Sequence, residues 1–156
     1  MEEKIIRSDM LSEQYYEIKH NSGLTVLVME QPQYTGAFAM FGAKYGSVDT
    51  CFKLESEAEY TRVPEGIAHY LEHKLFESEE LDAFERFAET GASANAFTSF
   101  DRTCYLFSCS SHFRENLEIL LDFVQHPYFT QQELRKTLDK YGIKLMSWYP
   151  LGHGDK

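Results

Sequence analysis

Gly66-Ile67-Ala68-His69-Tyr70-Leu71-Glu72-His73-Lys74-Leu75-Phe76-Glu77 decides how the rest of this chain is read. The stretch holds His-x-x-Glu-His. On a helix, His69 and His73 stand one turn apart and aim their imidazoles the same way. Two neutral ring nitrogens so placed can grip one Zn²⁺ at about 2.0–2.1 Å each. Glu72 falls within the same arc, where it can take a proton from a water that the cation has acidified. Ala68, Leu71, Leu75 and Phe76 supply an apolar face and Pro64 sits near the start, so the spacing predicts a buried helix. The plainer alternative is an amphipathic helix whose histidines are satisfied by solvent or a neighbouring carboxylate.

Upstream, Tyr15 to His20 alternates like a strand, Asn21-Ser22-Gly23 is turn chemistry, and Leu24 to Met29 is a β-branched strand. Gly36 to Gly46 reads as a third strand, apolar on both faces and therefore central. From Thr50 to Val63 the pattern lapses into a charged, irregular loop. Downstream, Leu81 to Ala88 repeats apolar residues at helical spacing and Gly91 is a suitable stop. Ser93–Phe100 and Thr103–Ser108, joined by a turn at Asp101-Arg102, form a second hairpin. His112 to Val124 is an amphipathic helix with Phe113, Leu117, Leu120, Leu121 and Val124 inward, closed by Pro127. Gln131 to Tyr141 reads as a further helix and Ile143 to Trp148 as a short strand. Hairpin-type strands mixed with helices mean an α+β fold, an antiparallel sheet with helices on one face.

The 156 residues allow one domain with a real core, and a hydrophobic content of 43% argues against disorder. A net charge of -10 speaks against nucleic acid as a partner, since phosphate binding needs a basic face. No stretch has the apolar length of a membrane span, and Met1 to Asp9 lacks the pattern of a signal peptide. Cys51, Cys104 and Cys109 lack zinc-ribbon spacing; they read as reduced thiols of a cytoplasmic protein.

Gly91-Ala92-Ser93-Ala94-Asn95-Ala96-Phe97-Thr98-Ser99-Phe100-Asp101-Arg102-Thr103-Cys104-Tyr105 is a second long match. With the histidine helix before it, the chain resembles the N-terminal domain of the insulinase/pitrilysin family of zinc peptidases, the inverted zincins, in its bacterial, processing-peptidase-like branch. Lys44-Tyr45-Gly46-Ser47, Pro64-Glu65-Gly66 and Lys74-Leu75-Phe76-Glu77 agree, and the likeness covers residues 12 to 130. It implies Zn²⁺ as cofactor, with His69 and His73 as ligands and Glu72 as general base. It implies a peptide substrate added as a strand beside Asn95 and Phe97. Asn95 as a turn-capping amide and Phe97 as plain core are the bland readings of those two residues. The likeness also implies a complementary half or paired subunit as partner.

The tail departs from that pattern. The family's third ligand is a glutamate on a later helix, and ungapped register puts Lys144 there, with Thr137 at an earlier glutamate position. A lysine cannot replace a carboxylate on a metal, and Glu133 and Asp139 are out of register. From His126 to Gly152 the chain resembles a segment of aldo/keto reductases. Residues 1–130 are therefore expected to be a zinc-peptidase-like domain, and 131–156 a divergent tail that is no domain of its own. The expected function is peptide hydrolysis, weak or absent in a truncated chain whose zinc binding is itself weak or absent. The alternative is a non-catalytic partner subunit or fragment that keeps the peptidase fold.

Overall fold

The computed structural model describes residues 2–10, 12–53, 56–76 and 82–127. The expected tail helix and strand, with Lys144, Thr137, Glu133 and Asp139, lie outside the described residues. The chain divides into two compact units, Met1–Thr35 and Gly36–Lys156.

The first unit is an antiparallel sheet of β1 (Glu2–Ser8), β2 (Glu13–Lys19) and β3 (Thr25–Val28), in that order. The expected hairpin is β2–β3. Gly23 turns it at φ 88°, a left-handed conformation that costs glycine nothing. Its N–H donates to His20 O at 3.0 Å. β1 was not expected, for a physical reason. Its residues are nearly all exposed, so no alternation of apolar and polar side chains marks it. Ladder pairing with β2 alone makes it a strand.

The second unit holds β4 (Ala37–Ala43), β7 (Ser93–Thr98) and β8 (Thr103–Cys109) in the order β4-β8-β7, all antiparallel. α1 (Ile67–Leu75), α2 (Ala83–Glu89) and α3 (Phe113–Gln125) pack on one face, as expected of the α+β class. Between them lies the core: Phe76 and Phe87 from the helical side, Tyr105, Phe107 and Cys109 from β8, and Ile119, Leu120 and Phe123 from α3. Two short strands, β5 (Cys51–Phe52) and β6 (Thr61–Arg62), pair where an irregular loop was expected. Two-residue strands are too short to carry a periodic signal.

Two expectations are corrected here. β4 is an edge strand among the described residues, not a central one. Its outward side chains Phe38 and Met40 are exposed although apolar, so its composition imitated a strand covered on both faces. α3 turns Asn116, Ile119, Leu120 and Phe123 inward; of the expected line, Leu120 is buried and Leu117 and Val124 pack against the core, while Phe113 is 42% exposed. Asn116 belongs to the inward line although it is polar. Its Nδ2 donates to His112 O at 2.9 Å, and the Thr90 hydroxyl, just past α2, sits against its Oδ1. A buried polar group so satisfied is invisible to a count of apolar residues.

The Lys44-Tyr45-Gly46-Ser47 motif runs along the tip of the β7–β8 hairpin. Ser47 N–H donates to Ser99 O at 2.9 Å and Val48 N–H to Phe100 O at 3.1 Å. The Thr103 hydroxyl donates to Tyr45 O at 2.8 Å. Gly46 is buried at this crossing, and a Cβ there would lie 2.3 Å from Phe100 O and 2.5 Å from Asp101 N. Backbone atoms cannot swing aside as a side chain can. Gly46→Ala is therefore expected to lower stability by about 1–3 kcal/mol or more. A urea midpoint equal to that of the parent would show that the crossing is looser than described.

Candidate active site

α1 begins at Gly66, whose φ of 85° lets the chain turn into the helix without a side-chain cap. Ala68, Tyr70, Glu72 and Lys74 are buried, so the helix is embedded around much of its girth. His69 is the exposed residue within it. The one-turn spacing does what the sequence predicts: Nε2 of His69 and Nε2 of His73 are 2.9 Å apart, with ring centroids 4.6 Å apart. One ring can donate to the other in that contact. The same separation allows both nitrogens to sit at about 2.0–2.1 Å from a single cation, once each carries its proton on Nδ1 instead. The donor set therefore fits two positions of a zinc site. Among the described residues, no group of three or more His, Cys, Asp or Glu side chains converges to hold a metal.

Glu72 is 8% exposed. The Thr98 hydroxyl, reaching from β7, donates to Glu72 Oε2 at 2.9 Å and fixes the carboxylate against the sheet. Beneath it lies Tyr105. Burial pushes that phenol's pKa well up, and the Glu72 carboxylate adds to the effect, so the ring hydroxyl stays neutral. His69 and Glu72 share an open cleft of about 480 Å³ with Ser47, Gly66, Ala96, Phe97 and Thr98. Helix and strand thus supply opposite walls.

Asn95 and Phe97 lie on β7, which like β4 is an edge strand of the described sheet. Neither bland reading describes them. Phe97 is 43% exposed at the cleft rather than core. Asn95 sits mid-strand rather than in a turn, and its Oδ1 accepts from Ala96 N–H at 2.9 Å. Thr98 and Ser47 are site residues that sequence reasoning passed over. Both belonged to quoted motifs, but only the folded hairpin and its crossing loop place them against α1. Cys104 and Cys109 are free and sit on opposite sides of β8, as their spacing predicts.

Residues 56–145 match the family model described as Insulinase (Peptidase family M16). The zinc protease YmfH of Bacillus subtilis is 49% identical over 133 residues, which is 85% of this chain and 31% of YmfH. The zinc protease AlbF of the same species is 31% identical over 72% of this chain and 26% of its own length. The chain thus spans less than a third of these relatives. The crystal structure of an M16-like peptidase from Alicyclobacillus acidocaldarius superposes with a TM-score of 0.76 at 40% identity, over 81% of this chain and 29% of that one. The pitrilysin structure, at 22% identity, shares the fold with a TM-score of 0.67, over 88% of this chain and 15% of its own.

Proposed function

Since the chain belongs to the insulinase family of peptidases, we propose that it is the metal-binding N-terminal part of a zinc metallopeptidase acting on extended peptides. One observation carries the reading: the two Nε2 atoms meet at 2.9 Å beside a carboxylate already held in place by Thr98. His69 and His73 would hold zinc. When bound, such an ion supplies an acidified water and polarises the scissile carbonyl. Glu72 accepts the proton of the attacking water and delivers it to the leaving amine. The peptide lies along β7 as an added strand, flanked by Asn95 and Phe97, with the cleft floor at Ala96 and Thr98.

In this reading residues 1–130 form the peptidase-like domain and 131–156 are its tail. The sequence puts Lys144 where the family's third ligand stands, which favours weak zinc binding and little or no hydrolysis by these residues alone. The same substitution favours a second reading, a partner subunit that keeps the fold and contributes a binding surface to a complementary half. Unpaired thiols on opposite sides of β8 support a reducing, cytoplasmic setting. No helix among the described residues is long and apolar enough to cross a membrane.

Metal content after dialysis tests the assignment. Purified chain is expected to take up zinc and lose most of it to a mild chelator, while His69→Ala takes up none. Losing even an outer partner of a ligand costs about 10–100-fold in affinity, and a missing ligand costs more. Zinc kept stoichiometrically through the chelator would show that a third ligand exists.

A further inference from the structure

Glu72 directly precedes His73 and follows His69 within the same arc of α1. Zinc takes a carboxylate oxygen as well as an imidazole nitrogen. A glutamate so placed is itself a candidate ligand, and a metal site short of a ligand pulls on it hardest. Yet among the described residues no three such groups converge. The carboxylate is instead turned to β7, where the Thr98 hydroxyl donates to Oε2 at 2.9 Å. That anchor is stiff. A β-branched side chain is restricted at χ1, and the backbone that carries it is fixed by its neighbours. Thr98 pairs with Thr103, whose hydroxyl donates to Tyr45 O at 2.8 Å. The next residue, Ser99, donates its N–H to Arg102 O at 2.8 Å and accepts from Ser47 N–H at 2.9 Å.

We propose that Thr98 is a positioning residue whose hydroxyl keeps Glu72 off the metal, so that the carboxylate stays a base instead of becoming a third ligand. The inference rests on the reading of His69 and His73 as the zinc ligands. A carboxylate bound to a cation has committed the lone pair with which it would accept a proton. The tether occupies Oε2, which leaves Oε1 to take that proton. A hydrogen bond to a charged group biases an equilibrium by about ten- to hundredfold. That is enough to hold the side chain on β7 against a weakly bound ion. The weak zinc binding expected of this chain then has a second cause besides Lys144: the nearest spare carboxylate is tied to the sheet.

Competition for Zn²⁺ against a chromophoric chelator, with the visible absorption of bound Co²⁺ as a second probe, tests this without any need for catalysis. Thr98→Val removes the hydroxyl and nearly keeps the shape. It is expected to bind Zn²⁺ at least about tenfold more tightly than the parent, as Glu72 becomes a ligand. Thr98→Ser keeps the donor and is expected to match the parent. Thr98→Ala also lacks the donor, is expected to repeat the gain, and serves if far-UV circular dichroism shows the valine variant misfolded. Glu72→Gln is expected to cost at least about tenfold more affinity in the Thr98→Val background than alone, because only there is the carboxylate on the metal. The Co²⁺ bands, which follow ligand number, are expected to change in Thr98→Val and to revert in the double variant. Zinc affinity in Thr98→Val equal to or below the parent's, with His69→Ala still abolishing uptake, would overturn the tether and leave the ligand reading standing. Tighter binding with unchanged Co²⁺ bands would also overturn the tether, since the gain would come from charge alone. Uptake unaffected by His69→Ala, or no uptake by any variant, would overturn the ligand reading and the tether with it.

Discussion

Incubated with zinc and an unstructured peptide, the chain as it stands is expected to produce no cleavage above background. His69 and His73 supply two ligand nitrogens 2.9 Å apart. A catalytic zinc site needs three protein ligands and an open fourth position. With Lys144 at the third position, as the ungapped family register implies, the site would lose one negative charge and gain a positive one, and both changes would disfavour a dication. Without a bound metal, Glu72 faces ordinary water, which is far too weak an acid for the carboxylate to deprotonate usefully. General-base catalysis alone is worth about 10²–10⁴-fold. These residues match 31% of the length of YmfH, and without the complementary half of the proposed reading, peptide positioning is expected to suffer. Lys144→Glu, mixed with a complementary half, is expected to raise the rate by at least about 100-fold, the lower end of that general-base range. Chelator-sensitive cleavage by the unmodified chain, lost in Glu72→Gln, would show that the ligand set is complete without residue 144.

Phe107→Ala is expected to cost about 3–5 kcal/mol of stability. The side chain is 0% exposed at the centre of β8, the strand that pairs on both sides. Its ring stacks on Phe87 at 5.6 Å and meets Phe113 at 5.7 Å, so its loss leaves a cavity under both α2 and α3. A domain of this size has roughly 5–15 kcal/mol in total, so the variant is expected to be largely unfolded or strongly aggregating at 37 °C. The contrast is Phe38→Ala, outward on β4 and 60% exposed, which is expected to change the urea midpoint little. Equal losses for the two would mean that the outward face of β4 is covered.

Several features were legible from residues alone because their signals are local. The one-turn spacing of His69 and His73 dictates convergence on any helix, and the helix forms where the apolar residues place it. Asn21-Ser22-Gly23 and Asp101-Arg102 announce hairpins through turn chemistry, and the helical spacing of apolar residues from Leu81 to Ala88 announces α2. Family membership was also legible, since two long motifs in order suffice. Other features depend on contacts between distant segments, which no local pattern encodes. β1 is a strand only through β2, and Asn116 faces inward only because Thr90 comes to meet it. Thr98 becomes a partner of Glu72, 26 positions away, only when β7 lies beside α1. Gly46 must be glycine only because a hairpin tip crosses it. The same division governs the site. Sequence spacing determined which side chains could meet a metal, through the fixed pitch of the helix. Tertiary packing decided which wall faces them and that Asn95 sits on an edge strand, because strand order and ladder phase arise only when the sheet closes.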